Sequence, residues 1–160
     1  MILQKTKTLA LAAMLCVASP LGAGASCAQP EGAGTLQAGL LEWINAQRSE
    51  HGLAGLQPNR ALSNAAMAHA CDMAVRGYFS HQRPGGPDLK ARLKTVGYGL
   101  RKAGENIAYS RQAKVSSAAE IWRNSPPHWK TIISPDYKDI GIAIAVSDEG
   151  RVYWVMDVGK

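Results

Sequence analysis

Two apolar runs near the end of the chain constrain its fold more than any other feature. In residues 140–146, isoleucine and valine alternate with glycine and alanine, and in residues 152–158 every second residue is large and apolar. The polar segment 147–150 separates the two runs, so the pattern predicts a β-hairpin. Because the first strand carries apolar atoms on both faces, we expect other elements to cover both faces of its sheet.

Helical patterns precede the hairpin and can supply both covering layers. Apolar spacing predicts helices over residues 36–51, 89–96 and 114–124, and a long helix between Asn59 and Gly77. The many alanines of the long helix allow a neighbouring sheet or helix to approach closely. We therefore predict an α+β fold, a three-layer α-β-α sandwich with a central antiparallel sheet.

The first 25 residues have the composition of a secretory signal peptide. Lys5 and Lys7 precede an apolar run over residues 9–18, and small residues at 23–25 form a cleavage site. The apolar run is too short to span a membrane. We expect this segment to be removed, which makes the protein secreted or periplasmic.

Behind the signal peptide we expect a flexible leader over residues 26–35 and a single domain over residues 36–160. Loss of Lys5 and Lys7 lowers the formal net charge from +6 to +4, which favours acidic cell-wall polymers or anionic lipid headgroups. The sequence has no basic run interleaved with aromatic residues, so we expect no nucleic-acid partner. We predict a monomer without a transmembrane segment or an organic cofactor.

Two cysteines remain after signal removal, since Cys16 lies within the signal peptide. Cys27 and Cys71 can form a disulfide in an oxidising compartment. Alternatively, Cys71 is a small buried helix residue and Cys27 lies in a loose tail. A second possible cleavage site, after Ala28, would remove Cys27 altogether.

Three short motifs place titratable side chains in segments that otherwise have the pattern of packed structure. They are Tyr-Phe-Ser-His at 78–81, Gly-Glu-Asn-Ile-Ala at 104–108 and Trp-Arg-Asn-Ser-Pro-Pro-His at 122–128. A titratable group in an apolar neighbourhood is costly unless it has a partner. His81, Glu105 and His128 can therefore partner one another, a metal or a substrate.

The ordered set of motifs resembles the CAP superfamily, which groups cysteine-rich secretory proteins, antigen 5 and pathogenesis-related plant proteins. The nearest branch is that of short secreted bacterial SCP-like domains. The resemblance covers roughly residues 37–158. Besides the three motifs it includes Arg92, Gly97-Tyr98, Ile132, Tyr137 and Ile140-Gly141-Ile142. It implies an α-β-α sandwich, in agreement with the layers predicted from the hairpin.

The larger members of the superfamily carry a cleft tetrad of two histidines and two glutamates. The resemblance places His81, Glu105 and His128 at three of these positions. The second glutamate position is occupied by Ser125, and Glu120 is out of register with it. A mechanism that needs two carboxylates is therefore not expected for this chain.

One hypothesis for these residues is an open zinc site or a site for another divalent metal. His81 and His128 would be ligands, because imidazole nitrogen suits zinc. Glu105 would be a third ligand, a group that orients a ligand, or a base acting on metal-bound water. No His-Glu-x-x-His motif is present, so the metal rests on the resemblance and on the ligand count.

Two other hypotheses need no metal. In the first, a histidine beside Glu105 acts as a general base in a peptide or cell-wall hydrolase, with Ser80 or Ser125 as nucleophile. Neither serine lies in a strained elbow such as Gly-x-Ser-x-Gly. In the second, the two histidines and Glu105 form an inert hydrogen-bonded network. The cleft then binds a cell-wall fragment, a lipid or a partner protein.

Several other residues receive more ordinary interpretations. His69 lies on the apolar face of its helix and is predicted to be a core histidine. Asn106 is expected to support Glu105, and Trp129 and Ser125 to line the cleft. Four basic residues are expected to form a solvated face, with a basic rim of the cleft as the alternative: Arg92, Arg101, Lys102 and Arg123.

Overall fold

The computed structural model describes residues 27–99 and 101–160, so the predicted signal peptide lies outside the described residues. The helices are α1 (Ala33–Glu50), α2 (Arg60–Arg76), α3 (Leu89–Thr95), α4 (Val115–Arg123) and α5 (Pro126–Ile132). The strands are β1 (Gln57–Pro58), β2 (Ala103–Ser110), β3 (Asp139–Val146) and β4 (Val152–Gly159). No helix of the described ranges is both long and apolar enough to cross a membrane.

The strands form one sheet in the order β1-β3-β4-β2. The predicted hairpin is confirmed, because β3 and β4 pair antiparallel over their whole length. β2 pairs antiparallel with β4, but the short β1 pairs parallel with β3. The sheet is therefore mixed, and the prediction of a purely antiparallel sheet was wrong at this edge.

Helices cover both faces of the sheet, as the apolar pattern requires. One face packs against α1, α4 and α5, with Ile144, Trp154 and Trp122 fully buried between them. The other face packs against α2 through smaller residues, among them Ala143 and Ala70. The three-layer α-β-α arrangement and the α+β class are thus confirmed.

The α2 layer lies close to the sheet because β3 presents only small side chains to it. A Cβ atom added at Gly141 would collide with the backbone of α2 at Leu62 and Ser63. Asn59 begins this helix by accepting hydrogen bonds from the backbone N–H groups of Ala61 and Leu62. Gly77 ends it with φ of 67°, a left-handed conformation that glycine adopts without steric cost.

The segment that follows α4 differs from the expectation. Pro126 and Pro127 do end α4, but they also occupy the first turn of α5. Proline is compatible with the first turn because its missing N–H would have no intrahelical partner there. This additional short helix carries His128.

Cys27 and Cys71 form a disulfide, with their Cα atoms 5.3 Å apart. The bridge attaches the start of the described chain to α2. Beside it, the N–H of Val146 at the end of β3 donates a hydrogen bond to the carbonyl of Ala28 at 2.8 Å. Part of the predicted leader is thus bonded to the domain, whereas the division into signal peptide, leader and domain stays a prediction.

We expect the Gly141→Ala substitution to lower the free energy of unfolding by about 3 kcal/mol, the upper range for overpacking. The added methyl group meets the backbone of α2, which cannot rotate away as a side chain can. Urea denaturation measures the loss. Gly34→Ala in α1 is the matched control, because its Cβ meets nothing within 4 Å. Equal stability of the two variants would contradict the close packing of α2 against β3.

Candidate functional site

The site is centred on Glu105, a carboxylate on the edge strand β2. Side chains alternate along a strand, so Glu105 points to the same face as Ile107, which packs in the α2 layer. Its side chain is only 3 % exposed. A carboxylate this deeply buried requires hydrogen-bonding or charged partners.

Two cationic or polar side chains engage the two oxygens of Glu105. His81 Nδ1 lies 2.8 Å from Oε1, and a guanidinium nitrogen of Arg92 donates to Oε2. Burial alone would raise the pKa of Glu105. The hydrogen bond from His81 and the charge of Arg92 outweigh that effect and lower the pKa overall. Glu105 is therefore ionised at neutral pH.

The contact with Glu105 fixes the orientation of the His81 ring. A carboxylate oxygen can only accept, so Nδ1 carries the proton in this hydrogen bond. In the neutral imidazole, Nε2 then keeps a free lone pair. The side chain of His81 is 58 % exposed, which leaves the ring open to a ligand from solvent.

His69 reaches the same carboxylate from α2. Its Nε2 atom is buried without a hydrogen bond and lies 3.8 Å from Glu105 Oε1. Burial lowers the pKa of His69, although the charge of Glu105 acts in the opposite direction. The prediction that His69 is a buried histidine is confirmed, and the structure adds that it borders the site.

A second carboxyl group lies beside Glu105 on the neighbouring strand. Asp157 of β4 is the direct cross-strand partner of Glu105 and is fully buried. Burial first, and then the negative charge of Glu105, raise the pKa of Asp157 well above its usual range. Two ionised carboxylates could offer each other only acceptors. Both effects favour the protonated form of Asp157, whose two side-chain oxygens are buried without a hydrogen bond to the described residues.

His128 lies near the same cluster on α5. Its Nδ1 atom is buried and makes no hydrogen bond to the described residues. Burial lowers the pKa of His128, and nearby His81 lowers it further. The Asn106 amide donates to the carbonyl of His128 at 2.9 Å. Asn106 thus supports the α5 segment, whereas it was expected to support Glu105.

Two predictions about the surroundings of the cleft were wrong. Arg92 was expected on a solvated face or a basic rim, but it is 7 % exposed and bonded to Glu105. Trp129 packs against Trp43 and His51, with ring centroids 6.5 Å and 5.6 Å apart. It therefore belongs to an aromatic cluster of α1 and α5.

The arrangement of His81, Glu105 and His128 does not support a preformed zinc site. Both oxygens of Glu105 are already engaged by His81 and Arg92. Within residues 27–99 and 101–160, no group of three His, Cys, Asp or Glu side chains is placed to hold a metal ion. Metal binding by His81, His128 and Glu105 stays a prediction.

An exposed aromatic pair lies on the segments that carry the site. Phe79 comes two residues before His81, and Tyr109 lies four residues after Glu105 on β2. Their rings meet edge to face with centroids 4.9 Å apart, and they are 44 % and 53 % exposed. Amphipathic or apolar rings held together at a surface favour contact with a ligand or a partner.

Comparison with known sequences identifies a family. The model of the cysteine-rich secretory protein family, CAP, matches residues 41–158. The uncharacterized protein YkwD of Bacillus subtilis (strain 168) is 33 % identical over 121 residues, covering 76 % of this chain and 46 % of YkwD. The chain thus spans less than half the length of this relative.

Solved structures share the fold. An extracellular SCP-domain protein from Bacillus anthracis is 27 % identical, with a TM-score of 0.69 over 79 % of this chain and 41 % of that one. An outer surface protein from Borrelia burgdorferi has a TM-score of 0.76 over 84 % of this chain and 98 % of its own. At 19 % identity it supports the fold alone.

We expect the Arg92→Gln substitution to cost about 3–5 kcal/mol in the free energy of unfolding, because it leaves a buried carboxylate without its cation. Chemical denaturation at pH 7 measures this cost. Arg101→Gln is the matched control on the exposed surface, and we expect it to change stability by less than about 0.5 kcal/mol. A small loss in both variants would contradict the buried ion pair.

Asp157→Asn provides a test of the protonated carboxyl group. The folded pKa of Asp157 is raised, so its stabilising effect is fully present below the unfolded pKa of about 3.9 and is lost as pH rises through the folded pKa. Asparagine keeps a neutral donor and does not titrate. We expect the variant to gain at least about 1 kcal/mol relative to the native protein between pH 4 and pH 8.

The measurement is urea denaturation of both proteins across that pH range, with the difference taken at each pH. Effects of Glu105 and of the histidines occur in both proteins and largely cancel in the difference. Asp148→Asn, at an exposed position between β3 and β4, is the control and should give no pH-dependent difference. A pH-independent difference for Asp157→Asn would show that Asp157 is not held protonated.

Proposed function

The chain belongs to the cysteine-rich secretory protein family, CAP, and from this premise we propose that it is a secreted binding protein. Its ligand site would be the surface around His81, bordered by Phe79 and Tyr109. The ligand would be a cell-wall fragment, a lipid or a partner protein. The signal-like segment 1–25 supports secretion.

The observation that carries this proposal is the contrast between the buried and the exposed parts of the site. Glu105 is 3 % exposed and each of its oxygens already accepts a hydrogen bond, so a substrate has little access to it. His81, Phe79 and Tyr109 face solvent and are the groups that a ligand can reach. The exposed groups are therefore accessible for ligand recognition, whereas Glu105 is not accessible for proton abstraction.

The hydrolase hypothesis lacks a nucleophile in the described residues. The hydroxyl of Ser80 donates to the carbonyl of Gln82 at 2.9 Å. Ser125 occupies the N-cap position of α5 without a side-chain capping bond. No described hydroxyl group is hydrogen-bonded to the imidazole of His81 or His128. We therefore propose binding as the function and do not propose hydrolysis.

Binding is tested by co-sedimentation of the purified protein with peptidoglycan sacculi and, separately, with vesicles of anionic phospholipid. We expect binding to one of them, weakened about tenfold or more in a Phe79→Ala/Tyr109→Ala double variant, since aromatic residues dominate binding energy. Ile121→Ala, which removes an exposed apolar side chain from α4, should bind normally. Unchanged binding by the double variant would contradict this site.

Calorimetry with Zn²⁺ tests whether a metal ion takes part in ligand binding at this site. The native protein is compared with a His81→Ala/His128→Ala double variant and with His51→Ala as the matched histidine control. Micromolar binding lost only in the double variant would support a metal-assisted site. Absence of binding to the native protein would exclude zinc assistance and leave the organic ligand.

A further inference from the structure

A cavity of about 270 Å³ lies between α2 and α3, and we call it the α2–α3 cavity. His69 and Arg92 line it, so the cavity borders the network around Glu105. His81, Phe79 and Tyr109 do not line it, so it is separate from the proposed ligand surface. Its walls come from one face of α2, from α3 and from the segment 78–87 that connects them.

The helical walls of the α2–α3 cavity are largely apolar. Ala65 and Ala68 from α2 line it together with Val96, which follows α3, and Pro87 adds a further apolar wall. The two alanine side chains are short, so the space between the helices stays open. These residues can pack against a short hydrocarbon group, whose burial is favourable in proportion to its apolar area.

A polar wall contains one carboxylate, Asp72, whose charge is already matched. It accepts hydrogen bonds from the Tyr78 hydroxyl at 2.6 Å, from Arg76 Nε at 2.7 Å and from Arg83 Nε at 3.1 Å. Burial and the bond to Asp72 raise the pKa of Tyr78, so its hydroxyl stays protonated and donates. Asp72 therefore has little capacity left to attract a cation.

Arg83 has unused hydrogen-bonding capacity in this wall, as do His69 Nε2 and Arg92 Nε. Its Nε is bound to Asp72, whereas its two terminal amino groups have no hydrogen bond to the described residues. A turn fixes its backbone, because the Gly86 N–H donates to the Arg83 carbonyl at 2.9 Å. Gly86 also packs against the Arg83 side chain so closely that an added Cβ would displace it. Arg83 is thus held in place at the cavity.

Arg92 adds a second positive charge to the lining. Its terminal nitrogens are bound to Glu105 and to the carbonyls of His81 and Pro87. Its Nε is buried without a partner. Of the two arginines in the lining, Arg92 is thus committed to Glu105, and Arg83 is the one whose terminal amino groups make no hydrogen bond to the described residues.

We propose that the α2–α3 cavity binds a small monocarboxylate. The apolar body of the ligand packs against Ala65, Ala68 and Val96, and its carboxylate pairs with the terminal amino groups of Arg83. A guanidinium fork binds a carboxylate with two parallel hydrogen bonds. The carboxylate belongs either to a free short-chain acid or to the C-terminus of a peptide.

The test is a titration of the purified protein with hexanoate and hexanamide, followed by NMR chemical shifts of α2 and α3. We expect saturable shifts with hexanoate at concentrations up to about 10 mM. Hexanamide lacks the charge, so we expect it to bind about tenfold more weakly or worse. Absence of saturable shifts, or equal affinity for the two probes, would overturn the proposal.

Two variants address the two halves of the cavity independently. Arg83→Gln should weaken hexanoate about tenfold or more without changing hexanamide, whereas Ala68→Leu should fill the cavity and weaken both probes. Ala91→Leu is the matched control, since Ala91 is exposed on α3 and does not line the cavity. Circular dichroism confirms folding. Native affinity in both test variants would place the probe elsewhere and overturn the assignment.

A pair of peptides distinguishes the two sources of the carboxylate. Acetyl-alanyl-valine carries a C-terminal carboxylate, and its amide does not. Tighter binding of the peptide acid than of hexanoate would assign the cavity to peptide C-termini, and the reverse order would assign it to free acids. Phe79→Ala/Tyr109→Ala should leave hexanoate binding intact, so failure of either proposed site is recognised independently.

Discussion

The buried carboxylate of Glu105 is the constraint on which the rest of the site depends. An ionised group with 3 % exposure is tolerated only if its partners are all in place. Those partners come from separate parts of the chain: Arg92 from α3 and His81 from the segment after α2, whereas Glu105 itself lies on β2. One charge thus links the sheet, a helix and a loop, and it explains why motifs distant in sequence meet.

The layers of the fold could be predicted from the sequence because their causes are local. The alternating residue types of β3 and β4 indicate a sheet that is buried on both faces. Asn59 and Gly77 mark the two ends of α2. The parallel edge could not be predicted, since β1 is two residues long and has no periodicity. α5 was missed because two prolines after a helix are compatible with either an end or a new beginning.

The candidate site was only partly predictable for a similar reason. His81 and Glu105 stand out in their motifs, whereas Arg92 lies among other basic residues on a short helix and its burial depends on tertiary packing. Asp157 did leave a signal in the sequence, as the one charged residue in an otherwise apolar strand. A second carboxyl group does lie beside Glu105, but it belongs to Asp157 of β4 and not to the position of Ser125.

The interactions that make the buried charge tolerable also limit its chemistry. The carboxylate of Glu105 is 3 % exposed and each of its oxygens already accepts a hydrogen bond, from His81 or from Arg92, so a substrate proton has little access to it. A substrate that is to contact Glu105 directly must first displace Arg92 from the buried ion pair. A ligand can instead bind at low cost to the exposed ring of His81 and to Phe79 and Tyr109. The network would then act as a rigid support for recognition at its surface.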